Sequence, residues 1–131
     1  HHPVEINSAL AAARLLVPKN KIICIFQPHR YSRLKDLFDE FCSSFNDADY
    51  VLILDVYSAG ENPIPNFESI NLENELSKYG HKNVSYIKDK KNLIQKLIKI
   101  VQTNDLIICL GAGSITNIAN NLEKDLNNEC R

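Results

Sequence analysis

An α/β fold with a mainly parallel sheet is what this 131-residue sequence predicts, on three observations. Four apolar runs, IICIF (22–26), YVLILDVY (50–57), VSYI (84–87) and DLIICLG (105–111), alternate with amphipathic segments. Three of those runs are nearly continuous rather than alternating, as in strands covered on both faces. Their Val and Ile content suits a buried pleated surface.

The segments between the runs have helical periodicity. In 32–45, Leu34, Leu37, Phe38, Phe41 and Phe45 recur at spacings of three and four, with Lys35, Asp36, Asp39 and Glu40 between them. Leu93, Ile94, Leu97, Ile98 and Val101 repeat the pattern in 91–102. Ile115, Ile118, Leu122 and Leu126 do so in 114–126, where Ser114 is placed as an N-cap. A weaker helix over 68–79 stops at Gly80, a favoured residue just past a helix end. The first segment, 3–16, opens on Pro3 and runs through Ala9–Ala13. The order α-β-α-β-α-β-α-β-α predicts one three-layer αβα, Rossmann-like domain over 1–131 with right-handed crossovers. Segment 58–67, with a glycine and two prolines, reads as an irregular loop.

Composition narrows the function classes. Apolar residues make up 44% and charged residues 24%, and the formal net charge of −1 gives no global field toward nucleic acid or anionic lipid. No apolar run reaches the length of a membrane span, and no signal peptide opens the chain, so a cytoplasmic setting is expected. Cys24, Cys42, Cys109 and Cys130 have no zinc-ligand spacing, and two of them sit in apolar runs as small hydrophobes. His29 and His81 have no spaced partner either, so no metal site is expected.

Ligands of open α/β sheets bind outside the carboxyl ends of the strands. That rule selects the junctions 26–33, 57–64 and 110–114. The first, FQPHRYSR, places Arg30 and Arg33 three residues apart around the first turn of a helix. An arginine fork matches carboxylate or phosphate, and free amides at the helix start favour an anion too. The alternative is that both arginines are solvated or pair with Asp36 and Asp39. The second, DVYSAGENPIP, carries Asp55, Tyr57, Ser58 and Glu61; the glutamate either orients a ligand or an arginine, or is merely solvated. The third, LGAGSITN, offers Gly111 and Gly113 for a sharp turn and Ser114 for a cap. It reads either as a packing turn or as a phosphate or domain contact. No P-loop lysine motif, nucleophile elbow or paired catalytic carboxylates are present, so no catalytic residue is assigned within this chain.

Taken together, HHPVEI at 1–6, FQPHRYSR at 26–33, DVYSAGENPI at 55–64 and GAGSI at 111–115 resemble the C-terminal domain of the bacterial Mur ligases. The resemblance spans essentially the whole chain and is nearest to the member that adds L-alanine to UDP-N-acetylmuramate. It implies a three-domain cytoplasmic enzyme of peptidoglycan precursor synthesis. The N-terminal domain would hold the UDP-sugar, the central domain ATP and Mg2+, and this domain would close over both. Activation of the muramoyl carboxylate as an acyl phosphate, then attack by the alanine amine, would form the amide. His1, Arg30 and Arg33 match positions lining the alanine end, with His2, Tyr31, Asp55, Ser58 and Glu61 as further lining. Gly111, Gly113 and Ser114 would contact nucleotide or the neighbouring domain. His1-His2, which alone reads as the end of a tag, then reads as native sequence. The chain alone is expected to be inactive. The alternatives are a free-standing flavodoxin-like regulatory or nucleotide-binding module, or the equivalent domain of a peptide-adding relative.

Overall fold

Alternation along the central strand decides the architecture. In β1 (Ile22–Gln27), Ile22, Cys24 and Phe26 point to one face and Ile23 and Ile25 to the other, and all are fully buried. A computed structural model describes residues 2–129. Around β1 lie β2 (Tyr50–Leu54), β3 (Val84–Ile87) and β4 (Leu106–Gly111), in the order β3-β2-β1-β4 with every pairing parallel.

Helices α1 (Pro3–Leu16), α2 (Tyr31–Asp36), α3 (Phe38–Cys42) and α4 (Ser69–Lys78) cover the first face. There Ile6, Leu10, Leu34, Phe41, Leu72 and Leu76 join Phe26 and Ile53 in one core. Helices α5 (Lys90–Ile100) and α6 (Ile115–Glu129) cover the second face, with Leu93, Leu97 and Leu122 against Ile23, Ile25 and Leu52. The chain therefore steps from β1 to β3 under the first face, and α5 carries it back across the second to β4.

Local chemistry fixes the element ends. His2 caps α1, its Nδ1 accepting from the Val4 amide at 3.2 Å. Asp89 caps α5 by accepting from Asn92 N–H at 2.8 Å. Gly80, at φ +98°, closes α4 as expected: the His81 amide donates to Leu76 O and the Gly80 amide to Ser77 O. At the amino end of the sheet, Arg14 donates to the carbonyls of Val17, Asn20 and Asp47 and to the Asp49 carboxylate, 2.7 Å away. Asp49 in turn accepts the Ile22 amide, so α1 is tied to the start of β1.

Two elements differ from the sequence expectation. The single helix expected over 32–45 is two, broken at Leu37, which lies at φ −115° and ψ 19°. The break turns Phe38 edge-on to Phe67, with centroids 5.3 Å apart, while Phe41 and Phe45 stay on Phe26. The run 50–57 leaves the ladder after Leu54. Beyond it the Asp55 carbonyl accepts from the Gln27 side chain, and only Tyr57 returns, as an isolated bridge to His29. Ser114 occupies the N-cap position of α6, its carbonyl accepting from Ile118, but its hydroxyl is held by Gln27.

Phe26 sits between Phe41 and Phe45 at ring-centroid distances of 5.6 and 5.2 Å. Phe26→Ala is expected to cost about 3–5 kcal/mol of stability, read from the midpoint of urea unfolding.

Candidate functional site

Because β2 and β4 flank β1, the three junctions singled out in the sequence meet at one edge. Gln27, the last residue of β1 and 6% exposed, joins them. Its Nε2 donates to Asp55 O at 3.3 Å and lies 2.9 Å from Ser114 Oγ, while its Oε1 accepts from the Ile115 amide at 2.9 Å. A buried amide uses both of its ends here, as a buried polar group must.

The glycines of the third junction are required by close approach. A Cβ on Gly111 would lie 2.3 Å from Gln27 O, and one on Gly113 2.4 Å from the Tyr57 ring. Both residues also have positive φ. The GAG turn thus packs against the other two junctions.

Tyr57 holds the arginine junction. Its amide donates to Pro28 O and its carbonyl accepts from Arg30 N, both at 2.8 Å, and its ring stacks on His29 with 9° between planes. Arg30 is thereby fixed at φ +71° and ψ 134°, a strained setting for a residue with a Cβ, costing about 1–3 kcal/mol. Burial, and then the charges of Arg33 and Arg30, hold the His29 pKa below its ordinary 6.5.

The guanidinium groups of Arg30 and Arg33 have no hydrogen bond or ion pair among the described residues. The pairing with Asp36 or Asp39 that was the alternative is therefore not made. Both arginines line a cleft of about 350 Å³ with Ser32, Asp36 and Leu37. A larger cleft of about 650 Å³ lies between α2–α3 and α4, but it contains neither arginine nor any carboxyl-edge glycine. Chemistry, not size, places the site at the sheet edge.

Glu61 is engaged rather than merely solvated. Residues 58–61 form a turn with positive φ at Ala59 and Gly60, and the Glu61 amide donates to Ser58 O at 3.0 Å. The turn delivers the carboxylate to α2, where one oxygen accepts the Ser32 amide at 3.0 Å and the other the Ser32 hydroxyl. These bonds from Ser32, helped by the Tyr31 amide and the Arg30 charge, hold the Glu61 pKa below its ordinary 4.5. The helix start expected to help bind an anion is thus already occupied. The charges left over at this junction are the arginine side chains.

The other expected residues divide. Asp55 faces β3, where its carboxylate accepts the Tyr86 hydroxyl and pushes the Tyr86 pKa up to about 12. Tyr31 is half-buried, its pKa raised by burial and by the charges of Glu68 and Asp55. His2 is used as the α1 cap, and His1 lies outside the described residues. Gln27 and Tyr57 lay in the junctions picked out from the sequence, but the positioning role of each was missed. A glutamine ending a continuous apolar strand was the available signal, since buried glutamine is uncommon.

This arrangement defines an α/β domain whose carboxyl edge carries two guanidinium groups beside an open cleft. Residues 1–113 match the family described as Mur ligase, glutamate ligase domain. The chain is 48% identical over 126 residues to a UDP-N-acetylmuramate–L-alanine ligase of Rhodospirillum rubrum, and 47% identical over 126 residues to one of Paramagnetospirillum magneticum. Each alignment covers 96% of this chain and 26% of the relative, so the chain spans about a quarter of their length. A solved domain from Haemophilus ducreyi, assigned to a UDP-N-acetylmuramate:L-alanyl-γ-D-glutamyl-meso-diaminopimelate ligase, superposes with TM-score 0.67 at 22% identity. That superposition covers 96% of this chain and 85% of the other. The chain belongs to the Mur ligase family, as its C-terminal, glutamate ligase domain. Membership sets aside the flavodoxin-like regulatory module. No helix among the described residues is long and apolar enough to cross a membrane.

Two outcomes test this geometry. Gly113→Ala should cost about 1–3 kcal/mol, and less on a Tyr57→Ala background, where the obstructing ring is gone; a double-mutant unfolding cycle reads the difference. Glu61 titrates below 4.5 when folded, so its stabilisation is present above that pH and is lost as pH falls through the folded value. His29, lowered from 6.5, opposes the fold once pH falls below that value. The thermal midpoint should therefore fall first below pH 6.5, as His29 resists protonation, and again below pH 4.5, as Glu61 is protonated; the second fall is the one that reports Glu61. Glu61→Gln should start lower at neutral pH and lose less on acidification; an acid slope equal to wild type contradicts the assigned role.

Proposed function

We propose that this chain is the amino-acid-binding, closing domain of an ATP-dependent ligase that joins L-alanine to UDP-N-acetylmuramate in peptidoglycan precursor synthesis. The observation that carries the reading is the pair of guanidinium groups, Arg30 and Arg33, at the carboxyl edge of β1, neither of which has an ion pair among the described residues. Relatives 45–48% identical over nearly the whole chain bear the name of the alanine-adding enzyme, which supports the substrate.

Arg30 grips the alanine carboxylate through its two-pronged fork, and Arg33 shares that contact or meets the phosphate of the activated substrate. Holding the carboxylate leaves the amine free to point at the acyl carbon, and fixed cations meet the charge that develops there. Closure of this domain keeps water from the acyl phosphate, which water would hydrolyse. In this reading Tyr31 and Ser58 neighbour the arginine pair in sequence and junction, His1 is assigned to the alanine side, and Gly111, Gly113 and Ser114 face the neighbouring domain, whereas Asp55 and His2 are spent on Tyr86 and on the α1 cap. The residues of this chain do not fit ATP or Mg2+: the sequence has no P-loop, and among the described residues no three His, Cys, Asp or Glu side chains converge. Those groups belong to the remainder of a longer enzyme, whose setting is the bacterial cytoplasm.

In the full-length enzyme, Arg30→Ala should raise the KM for L-alanine about 30-fold, the loss of roughly 2 kcal/mol from a charge-assisted contact, with the KM for ATP little changed. An unchanged alanine KM would remove Arg30 from this role. Turnover with an alanyl-peptide in place of alanine would favour a peptide-adding ligase. The 131-residue chain alone should show no ATP turnover.

A further inference from the structure

After Leu54 the chain leaves the sheet, and among the described residues it returns only at Tyr57, through the bridge to His29. The Tyr57 side chain is 42% exposed, so burial of apolar area does not account for its place. Two neighbours are nevertheless shaped to it. His29 stacks on the ring with centroids 5.6 Å apart, and the Gly113 backbone comes so close that a Cβ would lie 2.4 Å from it. The hydroxyl makes no hydrogen bond among the described residues, so the ring and not the phenol oxygen is what these neighbours meet.

The main chain of Tyr57 fixes one side of a strained torsion. Its N–H donates to Pro28 O and its carbonyl accepts from Arg30 N–H, each at 2.8 Å, so the two bonds bracket His29. The other side of the Arg30 torsion is α2, whose first turn is closed by the Leu34 amide on Arg30 O and held by Glu61 at Ser32. Arg30 φ is the angle between these two pieces, and +71° is imposed because both are held. A strained backbone persists only where its surroundings over-determine it. The same torsion sets the direction of Cβ, and with it where the guanidinium can reach.

We propose that Tyr57 is a positioning residue for the amino-acid-binding arginine, its ring coupling the GAG turn to Arg30. Gly113 and His29 set the ring, the ring places the Tyr57 main chain, and that main chain aims residue 30. This role rests on the amino-acid-binding reading of Arg30 and adds to it the residue that keeps the fork aimed. Tyr57 acts through Arg30 rather than on substrate. Without its ring, Arg30 is released to relax, and the apparent affinity for the amino acid falls by the fraction of time the fork is out of place. A change at Gly113, on a different junction, is felt at the arginine by the same route.

Steady-state kinetics of the full-length enzyme, varying L-alanine and ATP separately, test this with Arg30→Ala as the reference. Tyr57→Ala should raise the alanine KM about tenfold with the ATP KM within about twofold of wild type, while Tyr57→Phe, which keeps the ring, stays within about twofold for both. Gly113→Ala, whose methyl displaces the ring, should raise the alanine KM about threefold or more, and should add nothing on the Tyr57→Ala background. Cooperative thermal unfolding shows that each variant is folded; if Tyr57→Ala is not, Tyr57→Leu, which cannot stack on His29, takes its place. An alanine KM unmoved by loss of the ring, while Arg30→Ala raises it, overturns the role of Tyr57 and spares that of Arg30. An alanine KM unmoved by Arg30→Ala strikes the amino-acid-binding reading itself. The coupling is also overturned if Tyr57→Phe is as impaired as Tyr57→Ala, if both KM values rise together, or if Gly113→Ala keeps its full effect when the ring is gone.

Discussion

A single primary amide at the end of the central strand holds the carboxyl edge together. Gln27 donates to the strand-end carbonyl of Asp55 and accepts from the first amide of α6, so two neighbours that diverge beyond the sheet are held at fixed spacing. The backbone of Gly111 packs against that of Gln27, and the ring of Tyr57 covers Gly113. The Arg30 junction takes its position through Tyr57, which these contacts pack against the GAG turn. Inside a low-dielectric edge, a satisfied amide of this kind is specific as well as stabilising, because any shift leaves a buried donor or acceptor unpaired.

The division of labour among the charged groups follows. Glu61 occupies the start of α2, and Tyr57 fixes the Arg30 backbone. The arginine side chains are left as the uncommitted charges of the junction, since Glu61 already occupies the helix start and no carboxylate among the described residues pairs with either guanidinium. A site that meets its ligand with unspent hydrogen-bond donors has nothing to break before binding.

Much of this was legible in the residues. Continuous apolar runs announced a sheet covered on both faces, and β1, β3 and β4 lie where those runs do. The arginines were legible by position, at the end of the first strand. What was not legible depends on partners distant in sequence. The break at Leu37 accompanies a contact of Phe38 with Phe67, and the early end of β2 accompanies bonds from Gln27 and Tyr86 to Asp55. His2 looked like a ligand and serves as a cap, because only the fold shows that its ring faces the Val4 amide. The engagement of Glu61 required a turn with two positive-φ residues, one of them Ala59, which no local propensity announces.

The backbone at Arg30 carries one more implication. Its φ of +71° is a conformation that glycine adopts freely and that any side chain resists. A chain shaped for durability alone would place glycine there and relax. Keeping the largest cationic side chain at a position that penalises having one makes residue 30 a local gauge of the trade between persistence and activity.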